Sequence, residues 1–417
     1  MTAPTALPDN TFSLTSDKNF FGVWQSRLSS GLAFHMLSVA VGWQLYELTN
    51  NPHDLGLVGL VQFVPMFVAS PIAGYVADNF DRRRVAAICQ VLAALAALAL
   101  AFGAAFGWLD RLQIFALMGL IGAIRAFEFP TMFALVPLLV TRDALPRAVS
   151  LYASANQSSI VLGPAVGGIL TMAGPKVAYG TAALLFALAA LITARLKTAP
   201  QEIRRQAPSI QALLAGAQFI KRSPDLLGAL SLDLIAVLVG AVVALMPIFA
   251  RDILHVGPWG LGILRASPAI GALAMSLYIA RRPLGRYSGK KMFGGVALYG
   301  LATLVFGLST SFVLSVLALT IMGAADMISV VVRQSLVQLR TPDDMRGRVS
   351  AVNSMFISGS NQLGDYRAGA VAAAFGAIPA VLLGGSAAIL TAGLWTVLFP
   401  TLRRLDRLED APEKSAG

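Results

Sequence analysis

Long apolar stretches separated by short polar segments make up most of the chain. A helix needs about 20 apolar residues to cross about 30 Å of hydrocarbon. Twelve stretches meet this length, and the short segments between most of them require neighbouring helices to run antiparallel. We therefore predict an all-α membrane protein with twelve transmembrane helices at residues 20–48, 55–77, 84–107, 113–139, 147–172, 177–195, 225–250, 258–280, 291–309, 312–339, 348–374 and 378–399.

One connecting segment is much longer than the others. Its apolar residues, including Ile210, Leu214, Ala217 and Ile220, recur at helical spacing, with polar residues off that stripe. We interpret it as an amphipathic helix on the cytoplasmic membrane surface, acting as a tether or alternatively in regulation. The predicted domains are a cytoplasmic N-terminal tail, a six-helix bundle, this linker, a second six-helix bundle and a cytoplasmic C-terminal tail, at residues 1–19, 20–196, 197–224, 225–399 and 400–417.

Composition supports the membrane assignment. Hydrophobic residues make up 56% of the chain and charged residues 13%, whereas soluble domains carry about a quarter charged residues. The net charge of +11 reflects short basic clusters between apolar runs, which favour a lipid surface over nucleic acid as partner. The single cysteine, Cys89, excludes a disulfide framework, and no metal-ligand spacing or nucleophile motif stands out. We therefore expect neither a cofactor, nor a metal, nor enzymatic activity.

The distribution of basic residues predicts the orientation. If the N-terminus is cytoplasmic, most of the 32 Lys and Arg residues fall on the cytoplasmic side. Only Arg111, Lys176 and Arg251 lie in the opposite loops. Because cytoplasmic loops are enriched in Lys and Arg, we predict that both termini are cytoplasmic.

The two halves of the sequence resemble each other. A shift of 200 residues aligns Thr141 and Asp143 with Thr341 and Asp343, and a shift of 201 aligns Gly163 with Gly364. The matches cover helices four to five and ten to eleven, as a duplication of six helices requires.

A charged motif follows helix two. Residues 74–84 read Gly-Tyr-Val-Ala-Asp-Asn-Phe-Asp-Arg-Arg-Arg. Gly74 would let helices approach, and Asp78 can face a helix N-terminus and the arginines. The corresponding loop of the second half, residues 286–291, has no acid at the position of Asp78, which predicts a one-sided latch.

This stretch resembles the G-x-x-x-D-x-x-G-R-R signature of the major facilitator superfamily, with Asp81 in place of the second glycine. The resemblance implies that Asp78 and Arg82 hold the cytoplasmic gate in the outward-facing state. A plain positive-inside anchor is the alternative. The candidate gating residues are Gly74, Asp78, Asp81, Arg82, Arg83, Arg346 and Arg348.

Helix five contains a second motif, Gly163-Pro164-Ala165-Val166-Gly167-Gly168. It is similar to the G-P-x-x-G-G motif of exporter branches of the superfamily, although Ser159 stands at its upstream glycine position. Proline kinks a helix, and glycines allow close packing on a partner. Simple small-residue packing is the alternative. Together with residues 341–349, the pattern resembles the bacterial enterobactin-exporter-like branch.

Charged residues within the predicted spans are unevenly distributed. A charge at mid-bilayer costs about 2.5–3.5 kcal/mol on insertion scales, so retained charges usually face a cavity or each other. In the superfamily fold, helices one, four, seven and ten line the cavity, and helices three, six, nine and twelve form the outer layer. In this sequence the predicted spans of those four outer helices carry no charged residue except at their ends. Besides Arg265, the candidates for transport or proton coupling are His35, Arg125, Glu128, Asp233, Asp326, Arg333, Asp365 and Arg367.

Spacing suggests partners for some of these residues. Arg125 and Glu128 are three residues apart on one face, where they can neutralise each other. They also resemble the R-x-x-Q stretch that proton-coupled exporters carry on helix four. Asp326 and Arg333 also share one face of helix ten, while a lone histidine such as His35 is more often structural than a proton carrier.

The resemblance implies a secondary active transporter that works by alternating access. We expect a proton-coupled exporter of a drug, siderophore or metabolite, with Glu128, Asp326 or Asp365 carrying the proton. An importer of a small polar metabolite and a transport-inactive sensor or scaffold are the alternatives. The expected partners are a small molecule, protons and the lipid bilayer, but no nucleic acid. We expect a monomeric, multi-pass protein of a bacterial inner membrane.

Overall fold

The computed structural model describes residues 17–141, 143–197, 210–283 and 285–406, without the side chains of Pro71, Asp78, Asp343, Asp344 and residues 210–213. Within these residues the chain is helical and has no strand. Its long helices are α1 (Lys18–Thr49), α2 (Pro52–Asn79), α3 (Arg82–Phe106), α4 (Arg111–Leu135), α5 (Leu145–Met172), α6 (Pro175–Arg195), α7 (Pro224–Gly240), α8 (Gly257–Arg281), α9 (Ser288–Leu308), α10 (Phe312–Arg340), α11 (Asp343–Phe375) and α12 (Ala377–Leu398).

Nine of the helical segments in the described residues are long and apolar enough to cross a membrane. The other three long helices, α1, α5 and α11, have 32, 28 and 33 residues but are not among the nine. These three helices contain polar and charged residues, among them Arg27 and His35 of α1, Asn156 of α5 and Asp365 of α11, which lower their hydropathy. The count of twelve spans stays a prediction.

Short polar residues fix where the first four helices begin. The side chain of Asp17 accepts hydrogen bonds from the amides of residues 19 and 20 at the start of α1, and Asn51 and Asp81 cap α2 and α3 in the same way. Asp110 and Gln113 form a reciprocal capping box on α4. Each cap satisfies backbone donors that a helix start leaves without partners. These caps let antiparallel helices be joined by loops of a few residues.

The helices form two halves. In the first half α3 packs on α6, and in the second α9 packs on α12, away from the contact between the halves. The halves meet through two helix pairs, α5 with α8 and α2 with α11. Large apolar side chains on the outer helices are exposed, including Leu95, Leu184 and Leu390. Such surfaces are expected of helices that face lipid.

The predicted span at residues 225–250 agrees with a candidate membrane span from Pro224 to Ile253, but the helix within it is interrupted. Helix α7 ends at Gly240, and a 3₁₀ turn (Val243–Leu245) and a π turn (Phe249–Ile253) follow after two non-helical residues. Arg367 of α11 donates to the carbonyl oxygens of Leu238 and Val239. It thereby satisfies backbone acceptors that the interruption leaves without helical partners.

The segment between the halves contains a helix, Ile210–Arg222, which we name the linker helix. Its Ile220 is buried, and a Cβ on Gly216 would lie 2.8 Å from the carbonyl oxygen of Arg348 on α11. The linker helix therefore packs against the second half. Its placement on the membrane surface stays a prediction, and the tails 1–16 and 407–417 and linker residues 198–209 lie outside the described residues.

The C-terminal segment returns to the loop between α8 and α9. After a short helix (Pro400–Arg404), the carboxylate of Asp406 accepts hydrogen bonds from Arg286 Nε at 3.1 Å and from the amide of Tyr287 at 3.0 Å. The amide of Ser288 donates to the carbonyl oxygen of Asp406. The C-terminal segment therefore supplies an acid to this loop from outside the motif, and the one-sided latch stays a prediction.

Candidate functional site

The halves touch closely at one end of the bundle. We call it the Asn50 end, after the residue between α1 and α2, and we call the opposite end the Asp81 end. A Cβ on Gly56 of α2 would lie 2.7 Å from the carbonyl oxygen of Asp365 on α11, and Gly369 packs against Gly56 in turn. Only residues without a side chain permit this approach.

The second motif makes the matching contact between α5 and α8. A Cβ on Gly168 would lie 2.5 Å from the carbonyl oxygen of Pro258 and 2.8 Å from Gly262 Cα. Gly163 and Gly167 face α1 at His35 and Met36. Pro164 lies inside α5, which is helical from residue 145 to 172. The structure thus places this motif between α1 and α8.

A polar contact also joins the halves at the Asn50 end. The hydroxyl of Tyr46 on α1 donates to the Asp252 carboxylate in the π turn. Arg251 donates to the carbonyl oxygen of Tyr46 at 3.2 Å and lies 3.5 Å from Asp252. The three side chains link α1 to the segment after α7. We name them the Tyr46 lock.

A central cavity of about 240 Å³ lies between the halves, beneath these contacts. It is lined by residues from α1, α2, α5, α8 and α11 and by the turn after α7. Its polar lining comes mainly from His35, Gln62, Arg265, Gln362 and Asp365. Arg265 donates to the carbonyl oxygen of Ser38 at 3.0 Å, and Asp365 accepts from the amide of Ala244 at 3.4 Å. No ion pair joins Arg265 to Asp365 among the described residues.

Arg125 and Glu128 form no direct ion pair among the described residues, but they attract each other electrostatically, and their mutual neutralisation stays a prediction. The Arg125 guanidinium lies 3.7 Å from the centroid of the Phe34 ring, which lines the cavity. Glu128 is buried and accepts from Gln90 of α3 at 3.4 Å. The helical turn between the two residues points their side chains to different neighbours.

Sequence reasoning missed Arg27, whose residue surface is only 1% exposed. Its guanidinium donates to Asn156 of α5 at 2.6 Å and lies 5.0 Å from the centroid of the Phe129 ring. The available signal was its position four residues before Gly31 and eight before His35, which places the three residues on one face of α1.

In the second half, Arg333 forms a buried ion pair with Asp233 of α7 and not with Asp326. The two residues tie α7 to α10. Asp326 lies with Asp233 and Tyr299 around a separate cavity of about 10 Å³, the size of a single water site. These acids therefore do not line the central cavity.

The gating candidates lie at the Asp81 end. Arg82 donates to the carbonyl oxygens of Ala77 and Ala134, and Arg83 donates to that of Leu196. These bonds connect the loop after α2 to the ends of α4 and α6. A Cβ on Gly74 would meet nothing within 4 Å, so Gly74 makes no close helix contact in this structure, and its role in close helix packing stays a prediction.

Three further gating candidates have different surroundings. The side chain of Asp78 lies outside the described part of the structure. Arg346 donates to the carbonyl oxygen of Gln338 at 3.5 Å, and Arg348 lies 3.4 Å from the Met345 sulfur. Nearby, a groove of about 700 Å³ runs between α10 and α11. Its lining includes Ser354, which lies eleven residues before Asp365 and therefore on the same face of α11.

Known proteins resemble the chain over its whole length. Residues 10–416 match the family described as transmembrane secretion effector. The enterobactin exporter EntS of Citrobacter koseri is 26% identical over 373 residues, covering 89% of this chain and 86% of that protein. EntS of Shigella boydii has the same identity and coverage. These relatives are transporters and not enzymes.

Solved structures share the fold at low identity. A point mutant of a peptide transporter, POT, gives a TM-score of 0.74 at 14% identity, covering 94% of this chain and 96% of that one. A bacterial homologue of the lysosomal transporter Spinster, in an inward-facing and occupied conformation, gives 0.71 at 12% identity, covering 95% and 98%. The chain belongs to the transmembrane secretion effector family of the major facilitator superfamily, in its enterobactin-exporter-like branch.

Proposed function

We propose that the chain is a proton-coupled exporter of a small molecule that works by alternating access in a bacterial inner membrane. The observation that carries the proposal is the central cavity, which is lined by both halves and contains Arg265, Asp365 and His35. A site at the contact between two repeats becomes accessible to each side of the membrane as the repeats rock. The names of the relatives support export and make enterobactin and other siderophores the first substrates to test.

The proposed topology has twelve spans and both termini in the cytoplasm. The Asn50 end is then extracellular and the Asp81 end cytoplasmic. In this arrangement the glycine contacts and the Tyr46 lock close the extracellular side. The gating residues around Arg82 would close the cytoplasmic side in the opposite state.

Glu128, Asp326 and Asp365 are the proposed proton carriers. Each lies within a helix, and none forms an ion pair among the described residues, so each can change its protonation without breaking one. In a low dielectric the ionised form of an unpaired carboxylate is disfavoured. Proton uptake and release would then accompany exchange between the two states.

The test uses inverted membrane vesicles with an imposed pH gradient, acid inside. Wild-type vesicles should accumulate enterobactin above the level without a gradient. Glu128→Gln, Asp326→Asn and Asp365→Asn should identify the coupling acid, because its amide abolishes the gradient effect while counterflow continues. Glu47→Gln, an exposed acid at the Asn50 end, is the matched control.

Unchanged gradient dependence in all three amide variants would exclude these carriers. Accumulation only in right-side-out vesicles would identify an importer. No flux of any siderophore, drug or metabolite in either orientation would favour the sensor or scaffold alternative.

A further inference from the structure

Three arginines follow α1 from the Asp81 end toward the central cavity. Arg27 belongs to α1 itself, Arg125 of α4 lies over Phe34, and Arg265 of α8 bonds to the carbonyl oxygen of Ser38. With a rise of 1.5 Å per residue, these positions on α1 are separated by about 10 Å and about 6 Å. We name these residues the arginine series.

Each member has a buried N–H group that lacks an acceptor in the described structure. These groups are Nε and Nη1 of Arg27, Nη1 of Arg125 and Nε of Arg265. Leaving a buried donor of a charged group without an acceptor is costly, and the cost is recovered when an acceptor arrives. Guanidinium groups with free donors match the oxygen atoms of carboxylates and phosphates best.

Two neighbouring acids offset the charge of the three arginines only in part, because Glu128 attracts Arg125 and Asp365 attracts Arg265 electrostatically without forming a direct ion pair. Glu128 is bonded to Gln90, and Asp365 accepts from the amide of Ala244. No ion pair joins either acid to an arginine of the series among the described residues. Asp233 is committed to Arg333. Positive charge therefore exceeds negative charge along this face of α1.

The chain also makes room for Arg265. A Cβ on Gly42 would lie 3.2 Å from Arg265 Nη2, closer than nearly all real Cβ contacts. The absence of a side chain at Gly42 lets the guanidinium extend across α1 beside the cavity. A cationic substrate would meet this group in the same cavity and be repelled.

We propose that the transported molecule is an organic anion whose oxygen atoms bind Arg265 and Arg125, with Arg27 lining its approach from the Asp81 end. This inference rests on the proposed transport function and names the class of substrate. It also supplies a driving force in the export direction, because a cell interior that is electrically negative favours the exit of anions.

The test compares three probes with one carbon frame and different charge: 1-naphthoate, 1-naphthalenemethanol and 1-naphthylmethylamine. Their dissociation constants are measured by titration calorimetry on the purified full chain in detergent. We expect 1-naphthoate to bind at least tenfold more tightly than the other two. Arg265→Gln and Arg125→Gln should each weaken 1-naphthoate binding about tenfold or more, the loss of one charge-assisted hydrogen bond.

Two controls separate charge from folding. Arg84→Gln removes an exposed arginine at the Asp81 end, whose side chain is 77% exposed, and should leave binding unchanged. Arg265→Lys keeps the charge but loses the planar donor arrangement, and should retain part of the preference for 1-naphthoate.

The proposal is overturned if the alcohol or the amine binds as tightly as 1-naphthoate. Unchanged 1-naphthoate affinity in both glutamine variants, or no binding of any probe at millimolar concentration, also overturns it. Arginine-dependent 1-naphthoate binding without flux in vesicles would refute the exporter function but not the anion site. Flux of cationic compounds alone would refute the anion site but not the exporter function.

Discussion

Individual charged residues in this protein serve different purposes, although the sequence presents them alike. Arg333 is neutralised by Asp233, Arg367 satisfies backbone carbonyls at the interruption of α7, and Arg265 faces a cavity with a donor to spare. A charge that forms a buried ion pair contributes to stability, whereas one without an ion pair beside a cavity is available to a ligand. The partner, and not the charge itself, decides the role.

At the residue scale, Arg333→Ala should destabilise the second half strongly. It leaves Asp233 buried without a counter-charge, and breaking one side of a buried ion pair costs about 3–5 kcal/mol. The midpoint of thermal unfolding in detergent measures the loss. The double variant Asp233→Asn, Arg333→Met should recover much of it, because no buried charge then remains unpaired. A smaller loss in the single variant than in the double would contradict the assignment.

At the scale of helices, glycines set how closely the halves meet. Gly168 against Gly262 and Gly56 against Gly369 replace side chains with direct backbone contact at the Asn50 end. Contacts of this kind are close packed and do not deform gradually. They favour a closed state over partly open ones.

Gly168→Ala should open the Asn50 end and lower the transport rate, since its Cβ would press on the carbonyl oxygen of Pro258. The opening is measured in a Val243→Cys, Cys89→Ser background, as faster reaction of the new thiol in the cavity lining with an impermeant reagent from that side. Gly180→Ala on α6, where a Cβ would meet nothing within 4 Å, is the control. Equal reactivity in both variants would rule out the packing argument.

Helix positions were predictable, but side-chain partners were not. Apolar length and caps such as Asp81 and Asp110 fix the helix ends locally, so most described bounds lie within a few residues of the expected ones; the early end of α7 at Gly240 is the main exception. Partners depend on which helices pack together. Arg333 bonds to Asp233, which lies 100 positions earlier in the chain. Asp326, which shares a face of α10 with Arg333, instead lies beside the small cavity near Tyr299. Arg27 could have been predicted as a site residue, because it lies four residues before Gly31 and eight before His35, on the same face of α1.

At the scale of the whole molecule, the described inter-half contacts concentrate at the Asn50 end. Close packing of α5 on α8 and of α2 on α11 there is joined by the Tyr46 lock. Stability of the closed state therefore depends on a few contacts at one end. Weakening any of them shifts the balance between the two orientations of the halves.

Tyr46→Phe tests this balance. It removes the hydrogen bond to Asp252 and leaves that carboxylate with Arg251 alone, a loss of about 1–3 kcal/mol for a bond to a charged group. We expect the population open at the Asn50 end to rise roughly fivefold or more, seen as a changed distance distribution between spin labels on the two halves. Tyr75→Phe, an exposed tyrosine on α2, is the control. An unchanged distribution would show that the lock does not set the balance.

The docking of the C-terminal segment has a consequence for biosynthesis. The loop that begins at Arg286 bonds to Asp406, 120 residues later in the chain. A ribosome must therefore synthesise four more long helices, α9 to α12, before this loop can acquire its partner. Until then, the basic cluster at the start of α9 lacks that carboxylate. The second half therefore cannot complete this packing until the C-terminal segment has been synthesised.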